Sequence, residues 1–185
     1  MIKKNRCHFC GHKLVHKRHE GRVRLFCEAC NQPIYENPVP ASCLVVRDDE
    51  DRILLVKRAV DPQKGGWCLP GGYVEMDEEP DTSALRELHE ETGLTGRIDC
   101  LLGVMKGHSD IYGSLLMVGY LVSSFKGRLE PGDDADAAVF FRPDDMPHVV
   151  FRTHRLFIAM ARNEKTSCVK RLNPPSFKNT TSSAT

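Results

Sequence analysis

The sequence lacks a long hydrophobic run and has almost no net charge. No apolar stretch approaches the roughly 18 residues that a membrane-spanning helix requires, and the basic start of the chain leads into cysteines instead of the apolar core of a signal peptide. The 26 Lys and Arg residues nearly balance the 25 Asp and Glu residues, which argues against a protein that binds nucleic acid through a strongly basic surface. We therefore expect a cytoplasmic protein that contacts no membrane and does not have nucleic acid as its partner.

Residues 1–35 contain few long apolar side chains relative to their charge, so this segment cannot fold around a hydrophobic core alone. It does contain two Cys-x-x-Cys pairs, Cys7 with Cys10 and Cys27 with Cys30, separated by 16 residues. This spacing is typical of two knuckles that hold one tetrahedral metal ion, and four thiolates leave no position open for water. We therefore predict a small zinc ribbon in which Zn²⁺ is structural.

Two alternatives to this zinc site are weaker. Two disulfides could join the same cysteines, but the expected cytoplasmic location disfavours them. Histidine could replace a thiolate as a ligand, but the cysteine set is already complete. We therefore interpret the histidines of this segment as surface residues: His8, His12, His16 and His19.

From Val39 onward the pattern changes to a mixed order of strands and helices. Ser42–Val46 and Arg52–Lys57 flank an acidic turn and predict a hairpin. Pro80 near the start and Gly93 at the stop predict a helix between them. Three further strands and a second helix are expected, in this order: Cys100–Met105, Ser114–Val122, Ala137–Phe141 and Phe151–Arg162. The chain is therefore an α/β protein, and its end, rich in Pro, Ser, Thr and Asn, is expected to be disordered.

The first helix carries a crowded acidic edge. A helix over Ser83–Thr92 brings Glu87, Glu90 and Glu91 within about a third of its circumference. Like charges at this spacing repel and require a compensating cation. Hard oxygen ligands suit Mg²⁺ or Mn²⁺, which share their coordination with substrate phosphates. The opposite side forms a stripe that can pack into the domain: Ala84, Leu85, Leu88 and Thr92.

The order of these residues resembles the Nudix box. Gly72, Glu78 and the run Arg86-Glu87-Leu88-x-Glu90-Glu91-x-Gly93-Leu94 match the box at every defined position, an agreement that a merely acidic surface helix would not require. The resemblance extends from about residue 39 to residue 162. It implies an α/β/α sandwich with a mixed sheet, which we place at residues 36–165, between a zinc ribbon at 1–35 and a disordered tail at 166–185.

The resemblance also implies the roles of individual residues. Glu87, Glu90 and Glu91, with the Gly71 carbonyl, would bind Mg²⁺ or Mn²⁺ for the hydrolysis of a diphosphate to two phosphate monoesters. Glu78 and Arg86 would hold the loop and the metal-binding carboxylates in place. Glu91 is our choice of general base. An acid from a later segment is the alternative, although a plain acidic turn is favoured for its candidates: Glu130, Asp133, Asp134 and Asp136.

A zinc ribbon before such a domain resembles the NADH pyrophosphatase group and a related set with ADP-ribose and FAD pyrophosphatases. The linker Ile34–Pro38 is similar to the second set, and Leu101–Tyr112 lacks the Gln-Pro-Trp-Pro signature of the first. We therefore expect a nucleotide-derived small molecule as substrate, with ADP-ribose or FAD ahead of NADH, and we leave a homodimer open. The competing hypothesis is a regulator that uses the domain as a ligand sensor, against which the intact carboxylate set argues.

Substrate-binding residues stay unknown at this level. Four aromatic residues are candidates to stack on a base, although single aromatics at such positions usually belong to the core: Trp67, Tyr73, Tyr112 and Phe141.

Overall fold

The computed structural model of the chain describes residues 4–163. The tail predicted at residues 166–185 lies outside the described residues. Across residues 4–163, none of the helices combines the length and the apolar composition needed to cross a membrane.

The N-terminal segment folds into a small antiparallel sheet. Its strands are β1 (Val15–His19), β2 (Arg22–Cys27) and β3 (Gln32–Ile34), in the order β1-β2-β3. The buried cluster beneath this sheet is limited to four residues, and two of them are cysteines: Cys7, Leu14, Cys27 and Ile34. The segment therefore has the meagre apolar core that its composition predicts.

The remaining described chain forms seven strands and two helices. The strands are β4 (Val39–Val46), β5 (Ile53–Arg58), β6 (Trp67–Cys68), β7 (Gly71–Tyr73), β8 (Thr95–Ser109), β9 (Gly113–Lys126) and β10 (Ala135–Phe141), and the helices are α1 (Pro80–Thr92) and α2 (Arg152–Arg162). Both predicted helices are confirmed. Strands β8 and β9 form one long hairpin, which extends well beyond the two predicted segments.

Two sheets organise these strands. A four-stranded sheet has the order β7-β4-β9-β8, in which β4 runs parallel to β9 and the other neighbours are antiparallel. A three-stranded antiparallel sheet has the order β10-β5-β6. The prediction of a mixed sheet is confirmed.

The predicted hairpin of β4 and β5 is wrong, because the two strands lie in different sheets. Their backbones pair only at an isolated bridge between Arg47, which follows β4, and Ile53 at the start of β5. Strand β4 has β7 on one edge and β9 on the other, and β5 pairs with β6 and β10. The short turn between β4 and β5 therefore does not make them partners. Burial of both strands favours pairing with strands that come later in the sequence.

Strand β4 lies between the two helices. Its residues Cys43 and Val45 belong to a core cluster that contains Phe157 of α2. The alternating residues Leu44 and Val46 belong to a second cluster with Ala84 and Leu88 of α1. Because successive side chains of a strand point to opposite faces, one strand separates a helix on each side and produces the predicted α/β/α arrangement.

Candidate active site

Two glycines let strand β7 approach the carboxylates of α1. Gly71 has φ +148°, and a Cβ atom there would collide with the backbone of Ser42 and Cys43. The Gly71 N–H donates to Glu91 Oε2 at 2.9 Å. At Gly72, a Cβ atom would overlap the Glu87 carboxylate. The paired glycines therefore bring the backbone of β7 against two of the three predicted metal ligands.

Burial separates the three carboxylates that the sequence places on one helix edge. Glu91 is only 5% exposed, whereas the side chains of Glu87 and Glu90 are 15% and 40% exposed. Burial raises the pKa of Glu91 to about 8, because removal of water penalises the charged carboxylate. Burial likewise raises the pKa of Glu87. The helix edge therefore carries a buried carboxylate at Glu91, a partly buried one at Glu87 and an exposed one at Glu90.

The Arg86 side chain donates hydrogen bonds to three carboxylates of the same chain. Its Nε and Nη2 donate to the two Glu78 oxygens at 2.7 and 3.0 Å, a bidentate pair. Its Nη1 donates to Glu87 at 3.0 Å and to Glu90 at 2.7 Å. The hydrogen bonds from Arg86 lower the pKa of Glu78. All these contacts lie within α1 and the loop before it. This is the arrangement expected of a residue that holds the carboxylates in position.

The three carboxylates do not converge as a single compact set of ligands. Glu87 and Glu90 share Arg86, while Glu91 accepts the Gly71 N–H. Among residues 4–163, one group of three or more His, Cys, Asp or Glu side chains has its ligand atoms close enough together to hold an ion. That group is the four cysteines.

The acidic segment before β10 closes the end of α1. The Glu130 N–H donates to the Thr92 carbonyl at 3.0 Å, and the Gly132 N–H donates to the Glu91 carbonyl at 3.1 Å. Two acids of this segment also act on the box glutamates. Burial is the largest cause of the raised pKa values of Glu87 and Glu91, and repulsion by the negative charges of Asp133 and Asp134, respectively, raises them further. Two of the four later acids are therefore near the carboxylate edge.

The other two acids point to different surroundings. Glu130 pairs with Arg128 at 3.0 Å, and both side chains are exposed. Asp136 is exposed on β10.

A cavity of about 210 Å³ opens beside Gly71 and Gly72. It is lined on one side by residues that the sequence did not single out, including Arg58, Phe151 and His154. Arg58 Nε donates to the Pro62 carbonyl at 2.7 Å, and its guanidinium lies 5.4 Å from the centre of the Phe151 ring. The arginine could be noticed in the sequence as a cation that ends a buried strand, but the cavity joins segments that no local pattern connects.

His154 is a buried residue of this cavity's lining. Its Nδ1 accepts the Leu69 N–H at 3.0 Å, and burial, together with the positive charge of Arg58, lowers its pKa to about 3. The imidazole is therefore neutral and fixes the chain just before the paired glycines.

The four cysteine sulfurs form the compact cluster that the N-terminal spacing predicts. All four lie within 4.8 Å of one another, with Cys7 and Cys30 at 4.0 Å and Cys10 and Cys27 at 3.5 Å. Tetrahedral Zn–S bonds of about 2.3 Å place sulfurs about 3.8 Å apart, whereas a disulfide requires about 2.05 Å. The cysteines are free thiols. Their geometry therefore fits a four-thiolate ion site and does not fit the alternative of two disulfides.

Comparison with known proteins agrees with this fold and site. A family model described as NUDIX domain matches residues 37–160. The ADP-ribose pyrophosphatase of Methanocaldococcus jannaschii is 34% identical over 140 residues, which cover 75% of this chain and 77% of that protein. The diphosphoinositol polyphosphate phosphohydrolase 3-alpha of Mus musculus is 44% identical over only 71 residues, 38% of this chain and 42% of that protein.

A solved structure extends the likeness in fold. The crystal structure of a NUDIX hydrolase from Nitrosomonas europaea has a TM-score of 0.73 at 24% identity and covers 91% of this chain and 97% of that one. This chain therefore belongs to the NUDIX domain family and is a Nudix hydrolase, as the box predicts.

Proposed function

We propose that this Nudix hydrolase cleaves the diphosphate linkage of a nucleoside diphosphate derivative, with ADP-ribose or FAD ahead of NADH. The observation that carries the proposal is the meeting of Glu87 and Glu91 with the paired glycines at the wall of a cavity of about 210 Å³. The similarity to an ADP-ribose pyrophosphatase over three quarters of the chain supports this substrate class.

The metal ligands in this proposal are Glu87, Glu90, Glu91 and the Gly71 carbonyl. Their hard oxygen donors suit Mg²⁺ or Mn²⁺. Arg86 is the cation in ion-pair contact with Glu87 and Glu90, and it is shared with Glu78, so the edge keeps an excess of negative charge. Bound metal would neutralise the diphosphate and lower the pKa of a bound water. Arg86 and Glu78 hold the carboxylates in position.

Glu91 is the proposed general base. Burial raises its pKa to about 8 when no cation is bound, and a divalent cation at this edge would lower that pKa and keep the carboxylate ionised. The Gly71 N–H fixes one of its oxygens and thereby its orientation. Asp134, which lines the cavity and whose charge acts on Glu91, is the alternative acid from the later segment.

Arg58 is proposed to contact a substrate phosphate. It lines the cavity, it forms no ion pair with a carboxylate in the described part of the chain, and its Nε is already anchored on Pro62. A guanidinium held in this way offers its remaining donors to an anion.

The cavity favours a nucleotide over an inositol polyphosphate, the substrate named for the mouse relative. Among the described residues that line it, Arg58 is the one Lys or Arg side chain, two others are aspartates, and apolar surface comes from side chains that include Leu115, Met117 and Phe151. A ring bearing many phosphates requires a cluster of basic side chains, whereas a nucleoside requires apolar surface with a few polar contacts.

The ribbon is proposed to hold one structural Zn²⁺ through Cys7, Cys10, Cys27 and Cys30. Four thiolates complete a tetrahedral shell, and metal-binding energy would stabilise a segment whose apolar core is small.

A substrate panel tests the function. The full chain with Mg²⁺ would be offered ADP-ribose, FAD, NADH, a nucleoside triphosphate and a diphosphoinositol polyphosphate, with products separated by chromatography. We expect equal amounts of AMP and ribose 5-phosphate from ADP-ribose, and no product with a chelator. A nucleoside triphosphate or the inositol compound preferred by tenfold or more in kcat/KM would contradict the proposal. Tight binding of ADP-ribose without turnover would favour the ligand-sensor alternative instead.

A further inference from the structure

The four aromatic candidates divide into two pairs with different surroundings. Trp67 and Phe141 meet edge to face at 5.0 Å and pack against the core cluster of α2. Tyr73 and Tyr112 also meet edge to face, at 5.2 Å, but they are 38% and 50% exposed. The first pair is part of the core, and the second pair presents ring surface to solvent.

A buried hydroxyl holds the exposed pair in place. Ser109 Oγ lies 3.4 Å from the Tyr73 hydroxyl and accepts the N–H groups of Ile111 and Tyr112, each at 3.2 Å. Ser109 itself is only 7% exposed. The turn that joins β8 to β9 closes at Gly113, whose φ is +80°. One side chain therefore fixes both the turn that carries Tyr112 and the ring of Tyr73.

The tyrosine pair adjoins the proposed diphosphate site. Tyr73 follows Gly71 and Gly72 on β7, and these three residues line the same cavity as Ser109 and Ile111. The Tyr73 carbonyl also accepts a hydrogen bond from Arg86 Nη2 at 3.3 Å. The backbone of Tyr73 thus contacts the carboxylate network, while its side chain contacts Tyr112 and Ser109.

We propose that Tyr73 and Tyr112 form the platform on which the nucleobase of the substrate stacks, an inference that rests on the proposed function. An edge-to-face pair uses one ring face, so the other faces can accept a planar group. Tyr73 lines one cavity together with Gly71 and Gly72, and these two glycines contact Glu91 and Glu87. A ring stacked on Tyr73 and a diphosphate at the carboxylates can therefore belong to one molecule. Tyr112 extends the aromatic surface from the side, through its contact with the Tyr73 ring. An aromatic platform can stack on any nucleobase, but it binds a non-aromatic ring only poorly.

Leucine and phenylalanine variants test the platform. In Tyr73→Leu and Tyr112→Leu we expect KM for ADP-ribose to rise about tenfold, the range seen when a stacking ring is removed, with kcat within about twofold. Tyr112→Phe keeps the ring and should restore KM. Tyr35→Leu, which removes an exposed tyrosine of the N-terminal segment, is the matched control and should leave KM unchanged.

Inhibition by the two products adds a readout that general damage to the fold would not produce. In the leucine variants the inhibition constant of AMP should rise about tenfold, while that of ribose 5-phosphate, which has no base, should stay the same. Cleavage of ADP-ribose with unchanged KM and AMP inhibition in both variants would overturn the platform alone. Failure of the unmodified enzyme to cleave any nucleoside diphosphate derivative would overturn the proposed function and the platform together.

Discussion

Glu90 and Glu91 are adjacent on α1, yet one is exposed and the other is buried against Gly71. Replacement by glutamine keeps the size and a hydrogen-bond acceptor but removes a charge from the proposed metal site. We expect Glu90→Gln and Glu91→Gln each to lower kcat by about a hundredfold or more, with little change in melting temperature.

The control for these two variants is Glu79→Gln, which removes the same charge at the exposed start of α1, where the side chain makes no capping hydrogen bond. Steady-state kinetics and circular dichroism measure the result. Near-normal turnover in both box variants would show that the carboxylate edge does not bind the catalytic metal.

The burial of His154 leads to a second prediction, which concerns the stability of the fold at acid pH. The pKa is about 3 in the folded protein and about 6.5 in the unfolded chain, so the unfolded chain binds more protons between these values. Stability is therefore lost as the pH falls below 6.5, by about 2 kcal/mol between pH 6.5 and 5. His154→Asn retains an acceptor for the Leu69 N–H without titrating in this range, and it should remove most of this loss.

Denaturant unfolding at pH 7 and pH 5 measures the effect. His148→Asn, at an exposed position shortly before α2, is the matched control and should behave as the unmodified protein does. An equal loss of stability in His154→Asn would mean that other groups cause the acid sensitivity.

Strand β7 illustrates how a short element controls the site. At Gly72 an added methyl group would meet the Glu87 carboxylate and not backbone, so the strand can keep its path while the carboxylate is displaced. We expect Gly72→Ala to fold with nearly normal stability but to lose at least about tenfold in kcat, because small displacements at a reacting centre are costly.

Gly103→Ala provides the control, since its added methyl would make only an ordinary contact, 3.4 Å from Met160. Activity and melting temperature would be compared for the two variants. Unchanged turnover in Gly72→Ala would show that the position of Glu87 is not critical.

The elements were predicted from sequence where their signals are local. Pro80 and Gly93 do bound α1, where Gly93 has φ +70° and donates its N–H to the His89 carbonyl. The order of burial of the three glutamates could not be predicted, because it depends on contacts with β7 and with the segment around Gly132. The partners of β4 and β5 could not be predicted for the same reason: the strands that flank them are distant in sequence.

At the scale of the whole molecule, the N-terminal sheet and the rest of the described chain differ in the size of their apolar cores. The Nudix domain has large apolar clusters, whereas the N-terminal segment has one cluster of four buried residues, two of them cysteine, and Phe26 is buried outside that cluster. We expect one zinc per chain, and we expect the double variant Cys7→Ser/Cys27→Ser to lose zinc and become sensitive to protease within residues 1–35 while hydrolysis persists.

Metal analysis of protein purified without added zinc, together with limited proteolysis, tests this expectation. His8→Ser, at an exposed position beside Cys7, is the control and should keep both zinc and resistance. A ribbon that is free of metal and still resistant to protease would contradict it.

The cavity was beyond the reach of sequence reasoning because three segments far apart in the chain build it. Arg58 ends a strand, Tyr73 follows the paired glycines, and His154 belongs to the last described helix. Each residue is ordinary in its own sequence context, and only the packing of the two sheets and α2 brings them to one cavity.

The Ser109 hydroxyl gathers the turn at residues 110–112 around itself, and none of the hydrogen bonds it makes involves α1. In the proposed platform, Tyr112 therefore lies on a turn built apart from the carboxylate edge, whereas Tyr73 lies on β7 beside that edge. We therefore expect a change confined to residues 110–112 to alter how tightly a base is held while the carboxylate edge stays as it is. The hairpin tip is thus the place where we expect base binding to be redesigned without rebuilding the proposed hydrolytic site.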